Sequence, residues 1–145
     1  MNTNATLAPT TDLHQTYVAA INSNEVDRIL ALMSEDVVFQ VPGEPELIGK
    51  AAIQGWANGF FAAFEAHWDK TEHSLEVSGD LAVSRYTYTA RYRSREDSSE
   101  VGEVGKGTCI YRRDPSGLWL LMIDTWSTHE APAASGAASS ASTLA

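Results

Sequence analysis

Apolar residues recur along this chain at two periods, and the change from one to the other separates a helical first part from a β-rich remainder. Leu13, Tyr17, Ala20 and Ile21 share one helical stripe, and Val26, Ile29, Leu30 and Met33 follow at i, i+3, i+4 and i+7 on a second. Asn24 stands before that second stripe as a capping residue, with Asp27 three positions on. After Asp36 the sequence turns β-branched and aromatic through Val37, Val38, Phe39, Gln40 and Val41, a strand that Pro42 ends. Helical spacing returns over residues 49–68, where Ile53, Trp56, Phe60, Phe64 and His67 give a third helix with an unusually aromatic face.

Segments 72–78, 81–94, 101–112 and 118–128 then read as strands, with turns at Gly79-Asp80, at residues 95–100 and at Asp114-Pro115-Ser116-Gly117. Their lengths and turn signals predict an antiparallel meander. Helices first and a sheet afterwards is the α+β order, in which helices cover one face of a curved sheet and leave a pocket at its open end.

Strand alternation assigns side chains to the two faces. In segment 81–94, Tyr86, Tyr88, Ala90 and Tyr92 point together, and their aromatic character makes theirs the concave face. By the same rule Gly107, Cys109 and Tyr111 share a face, as do Leu120, Met122, Asp124 and Trp126. Asp124 is thus predicted inside, where a carboxylate must be hydrogen-bonded or carry a raised pKa. The opposite set of Thr108, Ile110, Leu121, Ile123 and Thr125 is too apolar for a solvated surface, which points to a homodimer through the outer sheet face.

Composition narrows the partners. The 145 residues, 43% of them hydrophobic, suit one domain over residues 11–130. Residues 1–10 and the Ala/Ser-rich stretch 131–145 have little to bury and are expected to be a flexible start and a disordered tail. Nineteen acids against ten bases give a formal charge of −9 without a basic run, which disfavours nucleic acid and anionic membranes. The first residues lack a signal-peptide pattern, no apolar run approaches the length of a membrane span, and the single Cys109 suits a reducing compartment, so a cytoplasmic protein is expected. The four histidines are scattered without ligand spacing, so no metal and no cofactor are proposed. Gly102, Gly105 and Gly107 lie in a strand and read as bulges or bends.

Four stretches carry a resemblance: Tyr17-Val18-Ala19-Ala20, the Ser34-Glu35-Asp36 turn into a strand, the loop from Pro42-Gly43 to Gly49, and the last strand ending Ile123-Asp124-Thr125-Trp126. Over most of residues 12–128 the chain resembles the ketosteroid isomerase branch of the nuclear transport factor 2-like superfamily. Limonene epoxide hydrolase, scytalone dehydratase and the SnoaL-like polyketide cyclases belong to it too. The resemblance implies a cone-shaped antiparallel sheet wrapped around N-terminal helices, the cystatin-like α+β barrel, and a dimer. Because that fold hosts many functions, activity must be argued from the site.

By resemblance, Tyr17 matches the oxyanion-hole tyrosine of the isomerase, while Gln40 stands where its general-base aspartate would be and Cys109 near its protonated aspartate. An amide cannot abstract a proton. Asp124 matches the last-strand aspartate of limonene epoxide hydrolase, whose middle-strand arginine and aspartate correspond to Tyr86 and Tyr88. Asp124 is therefore either a general base or acid, or a structural acceptor for buried hydroxyls. Tyr17 is either a polarising donor or a helix-stripe tyrosine. Gln40 either hydrogen-bonds a ligand or is a strand residue pointing to solvent, and Cys109 reads as a packed thiol of the pocket wall rather than a nucleophile. Trp56, Phe60, Tyr86, Tyr88 and Trp126 either line a pocket for a small hydrophobic ligand or fill the core. Two functions follow. One is a cofactor-independent isomerase, dehydratase or cyclase working by proton transfer; the other is a non-catalytic ligand-binding or dimerisation module.

Overall fold

The strand predicted over residues 81–94 forms with those limits, because its alternation is strict. Ala82, Ser84, Tyr86, Tyr88 and Ala90 are buried and every residue between them is exposed. The computed structural model describes residues 12–129, so the expected flexible start and tail lie outside the described residues. Helices α1 (Asp12–Asn22) and α2 (Val26–Leu30) precede strand β1 (Met33–Gln40), which is followed by the short β2 (Leu47–Ile48) and helix α3 (Lys50–Ala63). Four long strands complete the described residues: β3 (Phe64–Ser78), β4 (Leu81–Ser94), β5 (Glu100–Arg113) and β6 (Trp119–His129).

The curved sheet has the order β2-β1-β6-β5-β4-β3. Strands β3 to β6 make the predicted antiparallel meander, and β1 extends it by pairing parallel to β6, so the sheet as a whole is mixed. The helices lie against the concave face, where Tyr17, Ile21, Ile29, Ile53, Val37, Leu121 and the inward tyrosines form one core. Among the described residues no helix is long and apolar enough to cross a membrane.

Four local expectations change. Met33 is not the last position of the second helical stripe: α2 ends at Leu30, and Met33 opens β1 opposite Leu121 with almost no exposed surface. Asn24 does not cap α2, whose first flanking residue is Glu25. With φ at 58°, Asn24 turns its amide to the edge strand instead, bonding both the N–H and the C=O of Ala66 at 2.8 and 2.9 Å. Asn22 does the same to Trp68 at 2.8 and 2.9 Å. Two side-chain amides thereby occupy backbone groups that β3, as the outermost strand, would otherwise leave open.

The third helix ends at Ala63 rather than running to residue 68, and β3 begins there. Phe64, Ala66, Trp68 and Lys70 alternate inward along it, and His67 lies exposed on the other side. The last strand carries the fourth change. Cys109 pairs with Asp124 and Tyr111 with Leu121, so β6 holds one extra residue between these partners. That bulge reverses the alternation. Leu121, assigned outward from sequence, is fully buried, whereas Leu120 and Met122, assigned inward, are half-exposed.

Candidate functional site

Asp124 faces the concave side of β6 with 4% of its surface exposed. Tyr17, from α1, donates its hydroxyl to Oδ2 at 2.8 Å, and Tyr86, from β4, donates to Oδ1 at 2.8 Å. Each carboxylate oxygen thus accepts a hydrogen bond from one tyrosine. The Lys70 ammonium, on the inward side of β3, stands 3.9 Å from the centre of the Tyr86 ring and 5.0 Å from that of Tyr17. A cation over these ring faces puts positive charge beside a buried acid.

Tyr86 belongs to β4 but must reach across β5 to touch β6, and the glycines make that reach possible. Gly107 is paired with Tyr86, and Gly105 with Tyr88. A Cβ on Gly107 would lie 2.6 Å from the Tyr86 ring carbon that bears the hydroxyl, and one on Gly105 would lie 2.6 Å from the Tyr88 hydroxyl. The β4–β5 pairing runs through this region without any register shift, so these positions are clearance for the rings rather than the bulges expected from sequence.

Above this floor opens a cavity of ≈ 270 Å³, close to the lower end of the ~300–1,000 Å³ usual for small-molecule pockets. Aromatic rings form much of its wall, in a linked series. Trp126 lies 5.5 Å from Phe39 and 6.3 Å from Trp56; Trp56 stacks on Phe60 at 5.9 Å; Phe60 and Trp68 both pack on Tyr92, at 5.2 and 5.7 Å. Nearer the far end of β5, Glu103 accepts the Tyr92 hydroxyl at 2.5 Å and the Tyr88 hydroxyl at 3.0 Å, both on Oε1.

Of the residues singled out from sequence, Asp124, Tyr17, Trp56, Phe60, Tyr86, Tyr88 and Trp126 all line this one cavity. Gln40 does not: it is exposed on the outer face of β1 and donates its amide to Glu46 at 2.5 Å. Buried Val37 and Phe39 take the inward positions of that strand, and two-residue periodicity sends Gln40 outward. Cys109 is buried beside Asp124 and outside the cavity lining; burial and the neighbouring carboxylate push its thiol up, so it stays protonated and unreactive. Lys70 and Glu103 were missed. Both occupy inward positions of their strands; alternation from Gly107 and Gly105 points to Glu103, whereas Lys70 lies in the part of β3 that the helical spacing concealed. Among the described residues no group of three or more His, Cys, Asp or Glu side chains is placed to share a metal ion.

Burial pushes up the pKa of all five tyrosines of the chain, with the carboxylate of Asp124 adding to the effect at Tyr17 and Tyr86 and that of Glu103 at Tyr88 and Tyr92. Their hydroxyls are donors, never bases, at neutral pH. A proton held more tightly folded than unfolded stabilises the fold below the unfolded tyrosine pKa of ~10, and the advantage is lost as pH rises above it. An alkaline titration should therefore show no tyrosinate absorbance growing in near pH ~10 while the protein stays folded. All five should ionise in one step with unfolding. A tyrosine that ionises normally in the folded protein would contradict this arrangement.

The SnoaL-like domain profile matches residues 14–122. No curated protein matches the chain in sequence. Among solved structures, a ketosteroid isomerase-like protein from Erwinia carotovora atroseptica superposes with a TM-score of 0.79 at 18% identity, covering 89% of this chain and 99% of that one. A candidate dehydratase of the NTF2-like family from Streptomyces avermitilis gives 0.71 at 20% identity, over 82% and 93% of the two chains. An NTF2-like protein with a cystatin-like fold from Novosphingobium aromaticivorans gives 0.66 at 20%, over 88% and 82%. At such identities these likenesses establish the fold, while the profile covers well over half of the sequence: the chain belongs to the SnoaL-like family.

Proposed function

We propose that this protein binds a small, mainly apolar molecule in its cavity and acts on it by proton transfer, as a cofactor-independent isomerase, dehydratase or cyclase. One observation carries the proposal: two tyrosine hydroxyls converge on a single buried carboxylate at the floor of an aromatic cavity, with a lysine ammonium over the rings of both tyrosines. In this reading Asp124 is the base, because every other group at the floor is a donor. Tyr17 and Tyr86 orient it, and negative charge developing on a ligand oxygen is stabilised by the Lys70 ammonium. The Streptomyces neighbour described as a candidate dehydratase is consistent with this class of chemistry.

The test is to identify what the purified protein carries, by native mass spectrometry, and to assay turnover of that compound. A bound apolar molecule that is released unchanged under all conditions would favour the alternative, a non-catalytic binding module. That alternative has its own support in the hydrogen bonds that both Asp124 oxygens already accept from tyrosines.

We further propose a homodimer through the outer sheet face, in a protein that works in the cytoplasm. Ile48, Val38, Ile123, Ile110 and Val83 are successive cross-strand partners, forming an apolar row over five strands with Ile48 65% exposed. A second copy related by a two-fold axis would cover this row with itself. Sedimentation should give a dimer at micromolar concentration; a monomer there would refute the proposal.

A further inference from the structure

The two cavity acids that accept tyrosine hydroxyls differ in their surroundings. Lys70 stands over the rings of both tyrosines that donate to Asp124. Glu103 makes no ion pair among the described residues, and both of its tyrosines donate to Oε1, leaving Oε2 without a hydrogen bond there. Tyr92, which holds Glu103, is packed edge-on against Phe60 and against Trp68. This end of the cavity is an electron-rich aromatic corner next to a carboxylate. Among the described residues the acidic and basic side chains lining the cavity are Glu44, Glu103 and Asp124 against Lys70, and the chain carries a formal charge of −9.

We infer that the Glu103 end of the cavity is a binding site for an organic ammonium group, so that the ligand is a hydrophobic amine or quaternary ammonium compound with its cation between Glu103 and the Phe60, Trp68 and Tyr92 rings. Ring faces attract such a cation through their quadrupoles, and the free carboxylate oxygen supplies the opposite charge. An anionic ligand would meet three acids and find only one base. The inference rests on the proposal above that this cavity is the ligand site, and it adds an orientation. With the cation at Glu103, the rest of the molecule points along the aromatic wall toward Asp124.

The test compares (4-hydroxyphenyl)trimethylammonium with its uncharged carbon isostere 4-tert-butylphenol by calorimetric titration of the full chain. The cation should bind about tenfold tighter or better. In Glu103→Gln, which keeps an acceptor for both tyrosines, that preference should collapse toward parity while the neutral phenol binds as before. In the unmodified protein, nuclear Overhauser contacts from the N-methyl protons should reach the rings of Phe60, Trp68 and Tyr92, a readout that needs no variant. Equal binding of the two probes would overturn the ammonium site and leave the cavity's role as a ligand site standing. Failure of both probes to bind would count against the two proposals together. A preference that survives Glu103→Gln, or N-methyl contacts confined to Tyr17 and Tyr86, would likewise overturn the assignment.

Discussion

Asp124→Asn is expected to lower turnover of the cavity's substrate by ~10² or more, because the amide that replaces the carboxylate has no basicity with which to take a proton. The same change disturbs the hydrogen bonding. Tyr17 and Tyr86 both donate to Asp124, one to each oxygen. An asparagine offers one acceptor and one donor, so one of the two hydroxyls must rotate to accept, at a cost of about 1–3 kcal/mol. Denaturant unfolding and a turnover assay on the same preparation separate the two effects. A variant that is less stable by this amount yet fully active would reduce Asp124 to a structural acceptor and remove the base from the proposed chemistry.

Leu121→Ala should destabilise the fold by about 2–5 kcal/mol, whereas Leu120→Ala, one residue away, should do so by well under half as much. Leu121 has no exposed surface and packs in the core opposite Met33, while Leu120 is half-exposed on the other side of β6. The difference depends wholly on the extra residue that β6 accommodates between Leu121 and Asp124. Without it, Leu120 would be the core residue. Chemical denaturation of the two variants measures this directly, and the reverse order of stabilities would show that the strand has the other register.

That bulge also marks where the sequence stops being legible. Alternation located β4 to the residue because β4 itself carries no extra residue: its pairing with β5 has no shift, and the shift against β3 lies between Glu72 and Ser74 of β3. On β6 the same rule placed Asp124 and Trp126 correctly and Leu120, Leu121 and Met122 on the wrong sides, since a bulge is decided by the partner's register and leaves no local mark. The α3–β3 junction was hidden for another reason. Phe60, Phe64 and Trp68 are spaced for a helix, but Phe64, Ala66, Trp68 and Lys70 are equally spaced for a strand, and the choice is made by pairing with β4. Gln40 is the opposite case: two-residue periodicity from Val37 already turned it outward, and counting by resemblance overrode a signal that was present. The glycines of β5 carried information of a kind that a single strand cannot express. Their meaning lies in Tyr86 and Tyr88 on the neighbouring strand.

The parallel seam between β1 and β6 has a consequence for how the molecule comes into being. The hydrogen bond from Tyr17 to Asp124 joins residues 107 positions apart, and β1, whose other neighbour is the two-residue β2, finds its long partner only in β6. Contacts of such long range form late and slowly, because the entropy of closing the loop must be met before they give anything back. On the ribosome, α1, α2 and β1 emerge before β6, and the β1 edge that pairs with it stays open until β6 has cleared the exit. The floor of the cavity is therefore the last part to be assembled. Binding competence and completed folding arrive in the same event, and a chain shortened before Asp124 has neither.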